Sequence, residues 1–130
     1  TQFLSQGNDL VSVLRSLGLS NTKSRCIVDS AKWLETIDEQ ALAKQDNESL
    51  SHTLTQIHGI GAWTSDWLLL KYFRRFETLP SGDLAVRKAF TWWLDAPEIM
   101  EEEAVAVLAK HFKPIAGLLM QRVLCAYQGQ

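Results

Sequence analysis

Residues 57–66 read IHGIGAWTSD, with two glycines flanking Ile60 and a tryptophan following almost at once. An amphipathic run, NESLSHTLTQI (47–57), leads into this stretch, and WTSDWLLLKYF (63–73), apolar almost all round, leads out of it. Both flanks read as helices, so the connection has only three or four residues in which to turn. Glycine supplies the positive φ that such a turn demands, and it is expected here at Gly59 and Gly61, which also leave the backbone bare of Cβ atoms. The second helix opens with unpaired N–H groups and the positive end of its dipole, so a phosphate could approach closely. A ligand-free αα-turn would use the same glycines, and the rest of the chain has to decide between the two.

On either side the chain reads as helix after helix. NDLVSVLRSLG (8–18) has apolar residues at helical spacing, a cap at Asn8 or Asp9 and a stop at Gly18. SNTKSRCIVDSAKWLETI (20–37) is capped by Ser20 or Asn21, with Ile27, Ala31 and Leu34 expected on one side. A short turn of helix around DEQALAK (38–44) precedes the 47–57 run. The helix after the glycines is expected to be the most buried. LPSG (79–82) is a turn in which Pro80 biases Leu79 away from helix and Gly82 allows unusual dihedrals. DLAVRKAFTWWL (83–94) is helical from Asp83, and Pro97 and Pro114 are expected to open two final helices, PEIMEEEAVAVLAKHF and PIAGLLMQRVLCAYQ. No alternating β pattern, internal repeat or low-complexity tract occurs. The expected fold is all-α, a single multi-helix domain over 1–130 with the hairpin at about 54–70.

The composition suits one compact domain: 130 residues, 46% hydrophobic and 22% charged. The longest apolar stretch, WLLLKYF, is too short to span a bilayer, and no signal-peptide pattern opens the chain, so an intracellular protein without membrane partners is expected. Cys26 and Cys125 lack CxxC spacing, which argues against a disulfide framework, a zinc site or a cysteine-ligated iron–sulfur cluster. His52, His58 and His111 show no ligand spacing. The net charge of −2 speaks against broad nucleic-acid binding, yet residues 71–88 carry five basic against two acidic side chains, a local +3 (5 − 2) able to steer a polyanion.

Leu54, Ile57, Gly59, Ile60, Gly61, Leu68 and Leu69 fit the helix–hairpin–helix spacing seen in many DNA-repair proteins, with Ser65 in place of the usual small alanine. The longer stretch LTQIHGIGAWTSDWLLLKYFRRFETLPSGDLAVRKAF (54–90) resembles the helix–hairpin–helix DNA glycosylase superfamily, most closely the 3-methyladenine DNA glycosylase II type, which removes alkylated bases. GLSNTKSRCI (18–27) resembles a second element of that family, and the resemblance extends over about residues 17–128. It implies base-excision repair of double-stranded DNA by a monomeric, monofunctional hydrolase.

The resemblance also implies roles for residues. The family's catalytic aspartate falls on Asp83, at the start of a helix. Breaking an N-glycosidic bond develops oxocarbenium character on the sugar, which a fixed carboxylate stabilises. Asp83 also suits a plain N-cap, and Asp66, inside the preceding helix, is the rival acid. Bifunctional relatives carry a lysine nucleophile where this chain has Trp63, which implies hydrolysis by water. Trp63 and Trp67, four residues apart, are then candidates to contact an extruded base, with a cation–π contribution where alkylation makes that base positive; both also suit a core. Gly59, Gly61 and Thr64 are implied to bind a DNA phosphate, and the carbonyls of Thr55, Ile57 and Ile60 a monovalent cation such as Na+ or K+. No other cofactor is implied.

The sequence departs from the family in its tail, where FKPIAG keeps only the Lys113–Pro114 pair. Since it begins at Thr1 with no initiator methionine, it is expected to be a partial domain, either lacking or trimmed of the preceding helices that relatives use to wall the cleft. Three readings follow: a glycosylase, for alkylated purines or another damaged base; a non-catalytic helix–hairpin–helix DNA-binding module; and a helical interaction domain in which the glycines are coincidental.

Overall fold

A computed structural model of the chain describes residues 7–130, with side chains from Asp9 onward. Eight helices and no strands occur among these residues: α1 (Gly7–Ser16), α2 (Asn21–Leu34), α3 (Glu39–Ala43), α4 (Asn47–Thr55), α5 (Ala62–Lys71), α6 (Leu84–Trp93), α7 (Glu102–His111) and α8 (Ala116–Gln128). They group into two compact units, residues 1–65 and 66–130, with the division falling inside α5.

In the first unit, short polar residues set where the helices begin. Ser20 caps α2 by accepting the Lys23 N–H, Asp38 caps α3, and Asp46 caps α4 by accepting the Ser49 N–H at 2.8 Å. Gly18, at φ +94°, ends α1 in a Schellman arrangement: its N–H goes to the Arg15 carbonyl and that of Leu19 to the Leu14 carbonyl. Val28, Leu42, Leu50, Leu54 and Ile57 are buried. The buried side of α2 is Ser24 and Val28, whereas Ile27 and Leu34 are 47% and 51% exposed. The expected Ile27–Ala31–Leu34 stripe is therefore not the packed one. Ser24 can be buried because its hydroxyl donates to the Ser20 carbonyl at 3.0 Å, and a satisfied serine loses little on burial.

In the second unit, α6 and α8 pack together, and α7 packs against both. Leu70, Leu79, Val86, Ala89, Phe90, Val105, Ala116, Met120 and Val123 form one buried cluster, bordered by Trp67, Phe112 and Tyr127. Gly117 permits a close approach, since a Cβ there would meet the side chain of Leu70 and the Thr78 carbonyl oxygen, the latter at 2.5 Å. Its own N–H donates to the Phe76 carbonyl at 2.8 Å, pinning the first turn of α8 to the segment that follows α5.

Several boundaries differ from those expected. Asp9 sits in the first turn of α1 rather than at its cap, and the Asn8 side chain lies outside the described residues. α7 starts at Glu102, not Pro97, because the Thr91 hydroxyl takes the Met100 N–H (2.9 Å) and Arg87 Nε donates to the Met100 carbonyl (2.7 Å). Backbone tied to α6 on both sides cannot enter a helix. α8 starts at Ala116, not Pro114, because residues 112–115 form a turn in which the Ile115 N–H bonds to the Phe112 carbonyl. α5 buries Ser65, Leu69 and Leu70 but exposes its first turn, so it is not buried all round. Positive φ among the glycines occurs at Gly18 and Gly59, not at Gly61 or Gly82.

Gly117→Ala is expected to lose about 2–3 kcal/mol of folding stability, because overpacking here would push against a backbone carbonyl rather than a movable side chain. Urea denaturation of parent and variant checks this.

Candidate functional site

The glycine stretch is a tight connection between α4 and α5. The Ile57 N–H bonds to the Leu54 carbonyl (3.1 Å) and the Ile60 N–H to the Ile57 carbonyl (3.0 Å). Gly59 follows at φ +85°, where a Cβ would sit 2.8 Å from both Cβ and Sγ of Cys26 on α2. Gly59 thus answers to two constraints at once, backbone conformation and close contact with α2. Gly61 answers to neither: the space around it is open, and its carbonyl accepts the Ser65 N–H at 2.9 Å, the first bond of α5. Gly59, Gly61 and Ala62 are exposed, while Ile57 is buried and Ile60 half-buried. The outer surface of the turn is therefore backbone, leading to the first N–H groups of α5, where Thr64 lies half-buried. Ser65 is fully buried, and its hydroxyl donates to that of Ser51 on α4 at 3.0 Å. That bond explains how serine fits where a smaller residue was expected.

The carbonyls of Thr55, Ile57 and Ile60 belong to the end of α4 and the turn. That of Ile57 accepts the Ile60 N–H. Oxygen donors at the C-terminal end of a helix suit a monovalent cation in kind, since the helix dipole is negative there. Among the described residues no group of three or more His, Cys, Asp or Glu side chains could hold a metal ion.

In the second unit, Asp83 is the N-cap of α6, with φ −71° and ψ 121°. Its Oδ1 accepts the N–H groups of Ala85 (2.8 Å) and Val86 (3.3 Å). Its Oδ2 accepts the indole Nε1–H of Trp67 at 3.3 Å. The turn before it is closed by the Asp83 N–H on the Pro80 carbonyl. Three N–H donors from two helices therefore fix a half-buried carboxylate. Capping and a chemical role are compatible, because Oδ1 does the capping and the carboxylate keeps its negative charge while it does so.

The two tryptophans have different surroundings. Trp63 is 58% exposed in the first turn of α5. Trp67 is half-buried against the core of the second unit, points its N–H at Asp83 and carries Lys71 Nζ 5.2 Å from its ring centroid. Sequence reading missed this indole–carboxylate bond, for which a spacing of sixteen residues gives no signal. The basic stretch 71–88 is partly engaged as well: Arg87 pairs with Glu101 at 3.2 Å and Lys71 sits over Trp67. In the first unit a cleft of about 510 Å³ between α1 and α2 is lined by Arg15, Arg25 and Lys32, together with Asp29.

Asp66 is perturbed. Burial, and then the nearby negative charge of Glu102, push its carboxyl up to about 6 from 3.8. Glu102 itself lies over Gly82, where a Cβ would meet its Oε1 at 3.3 Å. Asp66 thus binds its proton more tightly in the folded state than in the unfolded one. Its contribution to stability is therefore greatest below about pH 4, falls as pH rises toward 6 and stays reduced above it. Asp66→Asn is expected to match the parent at pH 4 and to exceed it at pH 7 by on the order of 1–2 kcal/mol, allowing for solvent screening. Denaturation curves at the two pH values check the sign.

No family model matches the chain. It is 33% identical over 94 residues to DNA-3-methyladenine glycosylase 1 of Schizosaccharomyces pombe, a match covering 67% of this chain and 40% of that protein. The chain therefore spans about two fifths of the length of that relative. Its fold matches the solved structure of the S. pombe 3-methyladenine DNA glycosylase Mag1 in complex with abasic DNA, with a TM-score of 0.76 and 22% identity over 91% of this chain and 61% of that one. Over part of its length this chain is thus similar in sequence to the fission-yeast 3-methyladenine DNA glycosylase, and it shares that protein's all-helical fold.

Proposed function

We propose that the protein is a monofunctional DNA glycosylase that removes alkylated purines from double-stranded DNA, acting as a monomer inside the cell. One observation carries this reading above the others. A chain homologous to a 3-methyladenine glycosylase bears, at the start of α6, a carboxylate held in one orientation by three N–H donors. The S. pombe protein was solved with abasic DNA, the product state of base removal.

In this reading the exposed backbone of Gly59 and Gly61, the first N–H groups of α5 and the Thr64 hydroxyl grip a phosphate. Such contacts position the duplex and read no sequence. A monovalent cation held by the carbonyls of Thr55, Ile57 and Ile60 would add positive charge beside that phosphate. The damaged nucleotide is extruded, and its base stacks on Trp63, an aromatic face open to solvent. Trp67 contributes beside Asp83. The bond between C1′ and the base nitrogen then breaks with its electron pair leaving on the base, so a cationic alkylpurine departs neutral. The Asp83 carboxylate stabilises the oxocarbenium character left on the sugar. Water adds to C1′ and loses a proton, leaving an abasic site. Trp63 offers no amine, so no Schiff base forms and the DNA strand stays intact.

Asp83→Asn is the deciding variant. Asparagine caps a helix as well as aspartate does, so α6 should keep its start while the charge is lost. Excision from a duplex carrying 7-methylguanine, read as strand breaks after alkali, should fall on the order of 100-fold or more. Affinity for an undamaged duplex should stay within a few-fold. Excision at the parental rate by a folded variant overturns the assignment of Asp83, and binding without excision by the parent itself would favour the non-catalytic DNA-binding module.

Trp63→Ala separates stacking from packing. Base–aromatic stacking is worth roughly 1–3 kcal/mol, so excision at limiting enzyme should drop about 5- to 150-fold while thermal stability stays near that of the parent. A collapsed melting temperature with proportionate loss of every function would instead mark Trp63 as a packing residue.

A further inference from the structure

We infer that Trp67 is a positioning residue for Asp83, acting through its indole N–H rather than through its ring face. The inference deepens the proposed function and rests on Asp83 being the catalytic carboxylate. Oδ1 of Asp83 is committed to the N–H groups of Ala85 and Val86, which anchor that oxygen at the start of α6. The 3.3 Å bond from Trp67 Nε1 to Oδ2 holds the second oxygen from another helix, so the two oxygens are oriented from two elements.

Trp67 is suited to this because its ring cannot easily move. It is half-buried and packs against the cluster built from Leu70, Val86 and Phe90 and their neighbours. Lys71, one turn further along α5, sets its ammonium 5.2 Å from the ring centroid. A cation over an indole draws on its π density, which makes the N–H a stronger donor, and the bond it donates ends on an anion. Lys71, Trp67 and Asp83 thus form a short chain, cation to ring to carboxylate, that fixes where negative charge meets the developing positive charge. Preorganisation of this kind adds to catalysis because nothing has to reorient at the moment of bond breaking. The same arrangement separates the two tryptophans: Trp63 presents an exposed ring, whereas Trp67 has its ring beneath Lys71 and its polar edge on Asp83.

The test is Trp67→Phe, which keeps an aromatic ring in the core and removes the N–H. Single-turnover excision of 7-methylguanine from a duplex is measured against protein concentration, beside the parent and Asp83→Asn. The expected result is a 10- to 100-fold lower maximal rate with the half-saturating concentration within threefold and a cooperative melt. A purely packing role would instead lower the melting temperature and leave the maximal rate of the folded fraction unchanged. If Asp83→Asn is inactive while Trp67→Phe turns over at the parental maximal rate, the positioning role is overturned and the proposed function stands. If Asp83→Asn is fully active, the assignment of Asp83 on which this inference rests fails, and the positioning role falls with it. Should Trp67→Phe not fold, the bond is read directly in the parent: the Trp67 indole N–H resonance must shift on Asp83→Asn, and an unmoved resonance overturns the proposal.

Discussion

The carboxylate of Asp83 joins two consecutive helices across a spacing of sixteen residues. One oxygen terminates α6 by taking the first free N–H groups, and the other takes the indole N–H of Trp67 on α5. The turn from Leu79 to Gly82 is closed onto the same residue, and Val86 and Phe90 reach the core in the register this cap sets. A residue that were only a cap would need one oxygen. The second is held by a partner whose own position depends on the hydrophobic cluster, so the geometry of the proposed site is inherited from the core of its unit.

A similar economy governs the glycine turn. Gly59 serves the fold, being forced by a positive φ and by the nearness of Cys26, whereas Gly61 stands in open space. Two glycines that look equivalent in the sequence therefore answer to different pressures. A Cβ at position 61 would meet nothing within 4 Å beyond its chain neighbours, so the bareness of the backbone there bears on what approaches from outside. Ser65 shows the converse: a polar residue on an apolar helix is tolerated at full burial because Ser51 lies within hydrogen-bonding distance.

Electrostatics in the second unit follow from packing as well. Asp66 and Glu102 share a neighbourhood, and burial makes Asp66 hold its proton into the mildly acidic range. The fold accepts that cost at neutral pH. Arg87 binds both the Met100 carbonyl and Glu101, so part of the basic stretch that looked available for a polyanion instead holds the loop before α7.

By itself the sequence determined the helical class, the short connections and the placement of the glycine turn. These follow from local rules: periodicity, a cap at Ser20 or Asn21 and another at Asp83, and the stop at Gly18, whereas the caps at Asp38 and Asp46 emerged with the structure. It also pointed to Asp83 and Trp63, through the resemblance of the 54–90 stretch to the helix–hairpin–helix glycosylases. Long-range contacts lay outside its reach. Proline at 97 and 114 satisfied every local rule for opening a helix, yet bonds from Thr91 and Arg87 and a turn at Phe112 moved both starts downstream. The packed side of α2 went to Ser24 and Val28 because an internal hydrogen bond made a serine buriable. Tertiary structure alone decided that Trp67 should face Asp83 while Trp63 faced solvent. Spacing along a helix fixes direction about its axis, but what lies in that direction depends on segments far away in the chain.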